Sequence, residues 1–210
     1  MFMLGLSVAG TQAGQGIAKV LKTEKVLAGM LLRDGIISQE EVEIVEYGLE
    51  NLGSSMLGML ITLTIGFCFD FLLGSFLLWL LIFPLRKNAG GFHAKTKGRC
   101  LLFSSAMLLV SIICFVQVGC SETVYILVAI ISTGVIFLMA PVENNKKYLD
   151  QTEQKVYRKR TRIILLLEWM LFIPAVLLNL EELIIATTIA FFIVCTSLLA
   201  GRVKLQMHMK

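Results

Sequence analysis

His93 and Cys100 are the two residues in this sequence whose types and spacing most clearly suggest catalysis. They lie in the polar segment FPLRKNAGGFHAKTKGRCL, residues 83–101. A thiolate is a nucleophile and an imidazole is a base, so the pair suits attack on a carbonyl carbon. On one continuous helix the two side chains would be about 10.5 Å apart along the axis. Proton transfer needs roughly 2.6–3.2 Å, so the pair can react together only if the chain bends.

Glycines and cations around this pair favour such chemistry. Gly90 and Gly91 precede His93, Gly98 precedes Cys100, and glycine allows sharp changes of chain direction. A cysteine at the start of a helix lies at the positive end of the helix dipole. Neighbouring cations also favour the thiolate, and here they are Lys95, Lys97 and Arg99. These features are typical of a thiol peptidase, although a histidine and a cysteine with purely structural roles would also fit.

Metal binding and cofactor binding are not predicted. The His93–Cys100 pair would supply two ligands, whereas zinc sites in proteins use three or four. The other cysteines are Cys68, Cys114, Cys120 and Cys195. Three of these are interpreted as small buried hydrophobic residues within apolar runs, and Cys120 as a bystander thiol near the outer surface.

The reactive segment lies between long apolar blocks. The chain of 210 residues is 57% hydrophobic and 16% charged, with a mean hydropathy of +0.81. Soluble proteins have about 25% charged residues, and a helix needs about 20 apolar residues to cross a bilayer. We therefore predict an all-α, polytopic membrane protein with about six transmembrane helices. The predicted spans are residues 52–69, 71–85, 100–118, 122–140, 163–179 and 183–200.

The positive charges predict the orientation of these spans. All 19 Lys and Arg residues fall before the first span, between spans two and three, between spans four and five, or after the sixth. Positive residues remain on the cytoplasmic side during insertion. Both termini and the His93–Cys100 segment are therefore expected at the cytoplasmic face of a cell membrane. The net charge of +4 is explained by contact with anionic lipid headgroups, and no nucleic-acid partner is predicted.

The first 50 residues predict amphipathic helices that lie in the membrane surface. A first helix at residues 15–32 should end at Arg33-Asp34-Gly35, and Ser38 with Glu41 has the form of a capping box for a second helix. The acidic residues Glu43, Glu46 and Glu50 would share one face of that second helix. This face is either solvated or a docking surface for a basic peptide.

Three sequence motifs resemble the accessory gene regulator B (AgrB) family of quorum-sensing peptidases. The segment RKNAGGFHAKTKGRC (86–100) is similar to the family's central motif. The segments YGLE (47–50) and APVENNK (140–146) are similar to motifs on either side of it, and the resemblance covers about residues 17–200. Residues 1–50 would then form the interfacial region, 51–200 the transmembrane peptidase domain and 201–210 a cytoplasmic tail.

The resemblance implies a membrane cysteine endopeptidase. It would remove the C-terminal tail of a short amphipathic AgrD-like propeptide through an acyl-enzyme thioester and support cyclisation to a thiolactone or lactone. Cys100 would be the nucleophile and His93 the general base and acid. Candidates for orienting His93 or stabilising the oxyanion are Arg86, Lys87, Asn88, Gly90 and Gly91.

Other roles remain open at this stage. Lys146, Lys147 and the basic cluster from Lys155 to Arg162 either determine topology or bind the acidic propeptide tail. Glu168 should face protein and pair with Arg162 or Arg160, because an ionisable group within a span is costly. The alternative function is a non-catalytic membrane peptide transporter or exporter. Transporters usually show internal repeats and helices interrupted at mid-membrane, and we find no repeat here. The sequence leaves open whether two copies form a homodimer.

Overall fold

The computed structural model describes residues 26–92, 97–142 and 150–208, and these are helical apart from short connections. The predicted all-α class is confirmed. The first described residues, 26–33, are helical and are called α1. The longer elements are α2 (Val42–Cys68), α3 (Leu72–Ala89), α4 (Lys97–Ile112) with a π-helical turn (Ile113–Gln117), α5 (Glu122–Met139), α6 (Gln151–Leu177) and α7 (Glu181–His208).

Five helical stretches are long and apolar enough to cross a membrane. Among the described residues they are Val42–Cys68, Leu72–Ala89, Gly98–Gln117, Glu122–Met139 and Glu181–Lys204. The expectation of about six spans is roughly confirmed. The sixth candidate is α6, whose first half is strongly charged and whose apolar part runs only from Ile163 to Leu177. That part is about 22 Å long, which is shorter than the roughly 30 Å of a hydrocarbon core.

The chain divides into two compact units, residues 1–60 and 61–210. In the first unit, α1 ends at residue 33, as expected, and the second amphipathic helix continues into the first span as α2. Glu41 reaches back to the Ser38 N–H (2.8 Å), as in a capping box. The Ser38 hydroxyl, however, donates to Glu41 (2.9 Å) instead of accepting from a helix N–H. These two hydrogen bonds lower the pKa of Glu41.

In the second unit, α7 is the central helix. In the most apolar 18-residue stretch of α7, 67% of the residues are buried. In the corresponding stretches of the other four candidate spans, 33% or less are buried. Helix α7 packs mainly against α3 and α5, and also against α6 and α4. Phe191, Val194 and Leu198 on α7 are fully buried. A helix that is apolar on all sides is stable only when neighbouring helices or lipid surround it, which explains its central place.

The burial of the cysteines was predicted correctly only in part. Cys195 on α7 is buried, but Cys68 and Cys114 are exposed on the outer faces of their helices. An apolar run in a membrane protein contacts lipid as readily as protein, so hydropathy does not distinguish the two faces.

Glu168 faces the helix bundle, as predicted, with 3% of its surface exposed. The predicted pairing with Arg162 or Arg160 is wrong. The exposed Arg162 guanidinium lies 4.3 Å from the centroid of the Phe137 ring, and the carboxylate of Glu168 has no hydrogen-bond partner in the described part of the chain. Six residues separate Glu168 from Arg162, which places them about 120° apart around α6.

Candidate active site

The chain turns sharply immediately after α3, at the glycine pair that precedes His93. Gly90 has φ 77° and ψ −148°, and Gly91 has φ 133°, both outside the range that L side chains favour. Gly90 forms an isolated parallel β-bridge with Val142, and the Val142 N–H donates to the Ala89 carbonyl (3.0 Å). A Cβ on Gly90 would collide with the Val142 carbonyl oxygen. The chain after α5 thus holds a sharp turn at Gly90-Gly91 in place. The bend expected between His93 and Cys100 falls mainly on residues 93–96, which lie outside the described residues.

Helix α7 fixes the same segment from the other side. The Phe92 N–H donates to both oxygens of Ser197, the carbonyl at 2.9 Å and the hydroxyl at 3.2 Å. A Cβ on Gly91 would lie 2.6 Å from Ser197 Oγ, and a Cβ on Gly201 would lie 3.0 Å from the Gly91 carbonyl carbon. Glycines at 91 and 201 therefore permit a close approach of the loop to the helix.

The ring of Phe92 adds a third contact. Its centroid lies 5.0 Å from that of Phe103 on α4, and Lys204 Nζ on α7 lies 5.1 Å from the Phe92 centroid. The segment Gly90-Gly91-Phe92 is thus in contact with α4, α7 and the chain after α5. We call this segment the pre-histidine loop.

Cys100 is half-buried in the first turn of α4, which begins at Lys97. The expectation of a thiol at the start of a helix is confirmed. Gly98 is helical, so the prediction that it bends the chain before Cys100 is wrong. The first N–H groups of a helix have no acceptor within the helix, so this turn offers donors and a positive dipole end next to the thiol.

Among the described residues, Arg86 is a cation near the thiol. Its half-buried guanidinium, in the last turn of α3, interacts electrostatically with Cys100. The predicted neighbour Arg99 is exposed. A positive charge next to a cysteine favours the thiolate over the thiol, which is the nucleophilic form.

The other candidates on α3 have local contacts. Lys87 is exposed, and its Nζ lies 6.0 Å from the centroid of the Phe83 ring. Asn88 Nδ2 donates to the Pro84 carbonyl one turn earlier (2.8 Å). The amide of Asn88 therefore uses one of its two hydrogens within its own helix.

Several predicted site residues lie outside the described residues. These are His93, Lys95, Lys146 and Lys147. The acidic residues of α2 are described: Glu43 is exposed, and Glu46 and Glu50 are half-buried.

Sequence reasoning missed Ser197 and Gly201, which contact the pre-histidine loop. A signal was present, because Ser-Leu-Leu-Ala-Gly at 197–201 places small residues four apart in an apolar helix. Such spacing allows another backbone to approach a transmembrane helix closely. The motif was overlooked because it lies in the last predicted span, far along the chain from Cys100.

The described residues together suit acyl transfer. They place a thiol beside a guanidinium at the start of a helix, and they fix the chain that leads into His93. A guanidinium and the backbone N–H groups at the start of a helix can stabilise the negative charge of a tetrahedral intermediate.

Comparison with known proteins identifies a family. The family model described as Accessory gene regulator B matches residues 18–200. No curated protein and no solved structure gives a significant match. The matched range includes all three motifs, most of both units and the whole of α2 to α6.

Proposed function

The chain belongs to the accessory gene regulator B family, a family of quorum-sensing peptide processing, and from this membership we propose that it is a membrane cysteine endopeptidase. Its substrate is a short amphipathic AgrD-like propeptide, from which it removes the C-terminal tail. The observation that carries this proposal is the electrostatic interaction between Arg86, in the last turn of α3, and Cys100, in the first turn of α4. This interaction explains how a cysteine at the end of an apolar helix is available as a thiolate.

The first step forms the acyl-enzyme. His93 accepts the proton of the Cys100 thiol, and the thiolate attacks the scissile carbonyl carbon. The tetrahedral oxyanion accepts hydrogen bonds from N–H groups in the first turn of α4 and is stabilised by Arg86. The C–N bond then breaks, protonated His93 gives its proton to the leaving amine, and the acidic tail departs with a new N-terminus.

The second step releases the product. A cysteine of the propeptide attacks the thioester carbonyl, the bond to Cys100 breaks, and the peptide leaves as a thiolactone. A serine in the same place would give a lactone. Exchange of one thioester for another costs little free energy, so the thiolactone keeps the activation of the acyl-enzyme thioester. A site at the membrane interface limits competing attack by water.

We also propose that the site faces the cytoplasm, as the distribution of Lys and Arg favours. The basic first half of α6 would lie on that side. A single cysteine at Gln151 should react with membrane-impermeant reagents only from the cytoplasmic side. One at Ser121, in a chain without Cys120, should react only from outside. Labelling of the Gln151 position from outside would contradict this orientation.

The test of the activity is propeptide cleavage by the purified full-length chain in nanodiscs. The propeptide would be the product of a short reading frame beside the gene, with an amphipathic helix, a central cysteine or serine and an acidic tail. Cys100→Ala should abolish cleavage, whereas Cys68→Ala and Cys114→Ala should cleave normally, because both side chains lie on outer helix faces. Normal cleavage by Cys100→Ala would refute the proposal, and movement of uncleaved propeptide across the bilayer would favour a transporter.

A further inference from the structure

The pre-histidine loop depends on one residue of the last helix. Ser197 is 1% exposed, and both of its oxygens accept from the Phe92 N–H, at 2.9 and 3.2 Å. His93 follows Phe92 directly in the chain. The position of the Phe92 backbone therefore limits where the His93 side chain can reach.

The Ser197 hydroxyl differs from two other hydroxyls of α7. The Thr187 hydroxyl donates to the Leu183 carbonyl of its own helix (2.7 Å), and the Thr196 hydroxyl donates in the same way to the Phe192 carbonyl (2.8 Å). The Ser197 hydroxyl accepts a hydrogen bond from another segment, more than 100 residues away in the chain. The Ser197 hydroxyl thus connects α7 to the pre-histidine loop.

Steric contacts reinforce the same placement. Ser197 Oγ would be 2.6 Å from a Cβ at Gly91, and the Gly91 backbone lies directly against Gly201, one turn further along α7. Hydrogen bonds on one side and close packing on the other leave the loop little room to shift along α7. Atoms held this closely transmit small displacements, since packed interiors deform little.

We propose that Ser197 is a positioning residue of the active site, which holds the pre-histidine loop so that His93 meets Cys100. This inference rests on the proposed function, in which His93 is the base. Catalytic groups work only when held near their productive geometry, and a displacement of about 1 Å can cost two orders of magnitude in rate. Ser197 itself need not touch the substrate.

Alkylation of Cys100 by iodoacetamide tests the positioning role of Ser197 without a propeptide. The full-length protein in nanodiscs would be alkylated from pH 5.5 to 9, and the rate at Cys100 measured by peptide mass spectrometry. Cys120, near the opposite ends of the helices, serves as the internal control for reagent access. Arg86 on α3, Arg99 on α4 and Lys204 on α7 remain in every variant, as do all other lysines and arginines, so changes in the pH profile report the base.

Ser197→Ala keeps the 2.9 Å bond from the Phe92 N–H to the carbonyl of residue 197 and removes only the 3.2 Å bond to the hydroxyl. It should therefore lower Cys100 alkylation at neutral pH by about 3-fold, the lower end of what one hydrogen bond contributes. His93→Ala should lower it more. In a His93→Ala background, Ser197→Ala should have no further effect, because the base that it positions is gone. Thr187→Val is the matched control, since it removes an equally buried hydroxyl of α7 that bonds only within its own helix, and its profile should be that of the wild type.

Gly201→Ala provides a second perturbation that does not depend on the folding of Ser197→Ala. Alanine favours the helix, but its Cβ would be 3.0 Å from Gly91, so it should push the loop and reduce alkylation in the same His93-dependent way.

The possible results distinguish a failure of the Ser197 role from a failure of the proposed function. A His93-dependent profile that Ser197→Ala leaves unchanged would overturn the inference alone. An equal loss from Ser197→Ala with and without His93 would also overturn it, because that loss would be structural. A wild-type profile in His93→Ala would contradict the proposed function, and this inference with it.

Discussion

Gly90 pairs with Val142 in a parallel β-bridge, with its backbone at φ 77° and ψ −148°. Two of the motifs that resemble the family, the glycine pair before His93 and the Ala-Pro-Val segment after α5, are therefore in direct contact. The backbone geometry at Gly90 depends on contact between both motifs. The bridge sets the direction in which the chain leaves α3 toward His93.

Gly90→Ala should abolish or strongly reduce propeptide cleavage. Non-glycine residues in this region of backbone space cost about 1–3 kcal/mol, and the added Cβ would collide with the Val142 carbonyl oxygen. Cleavage rate and thermal midpoint would be measured for Gly90→Ala and for Gly134→Ala, whose added Cβ meets nothing within 4 Å. Full activity of Gly90→Ala would show that the bridge does not position the site.

Arg86→Ala should reduce the reactivity of Cys100 toward iodoacetamide at neutral pH by about 10-fold and move the alkylation profile toward higher pH. The reason is that a nearby positive charge favours the thiolate. Arg86→Lys should recover part of the loss, and Lys87→Ala, at an exposed position, should have little effect. Equal effects of Arg86→Ala and Lys87→Ala would contradict a specific role of Arg86, because any nearby positive charge would then influence Cys100 equally.

The start of α2 should be stabilised by Glu41 in a pH-dependent way. Its pKa in the folded chain lies below the usual value because the Ser38 N–H and hydroxyl donate to its carboxylate. The stabilisation is therefore present above the pKa of an unfolded glutamate and is lost as pH falls through the lowered pKa of the folded state. Hydrogen exchange at residues 41–45 should be faster in Glu41→Ala than in Glu40→Ala at pH 7. The two variants should converge at low pH, and a difference that persists there would refute the carboxylate's role.

Glu168→Leu should raise the thermal midpoint by several degrees. The side chain is buried at 3% exposure, and within the described ranges its carboxylate has no hydrogen-bond partner. An ionisable residue in the middle of a span costs about 2.5–3.5 kcal/mol on insertion scales. Glu168→Gln, which keeps the volume and the polarity, should give a smaller change. A lower midpoint in Glu168→Leu would mean that the carboxyl makes a stabilising contact with one of the residues outside those ranges.

Hydropathy and charge predicted the helical class and the approximate spans, because the bilayer imposes a length and a polarity on each helix. They did not distinguish the exposed Cys68 from the buried Cys195, since lipid and protein interior are equally apolar. Helical periodicity alone would have shown that Arg162 and Glu168 lie on different faces of α6 and do not pair. The contacts of Ser197 with Phe92 were beyond local sequence patterns, since they join residues far apart in the chain.

The site was predicted in part. The residue types and the helix-start position of Cys100 were apparent from the sequence. Arg86 was predicted only as a candidate for orienting His93 or stabilising the oxyanion, and the cations expected near the thiol were Lys95, Lys97 and Arg99. Local sequence could not show that Arg86 interacts with Cys100, because the two residues lie on different helices.

The covalent intermediate tests the central claim most directly. The full-length protein in nanodiscs would be mixed with the propeptide, quenched in acid within one turnover and analysed by intact-protein and peptide mass spectrometry. The account predicts an adduct on Cys100 equal in mass to the N-terminal part of the propeptide without its tail and less one water, cleaved by neutral hydroxylamine as a thioester should be. The adduct should be absent from Cys100→Ala and retained in Cys120→Ala. Tail release at a normal rate by Cys100→Ala, or release by the wild type with an adduct on another residue, would contradict it.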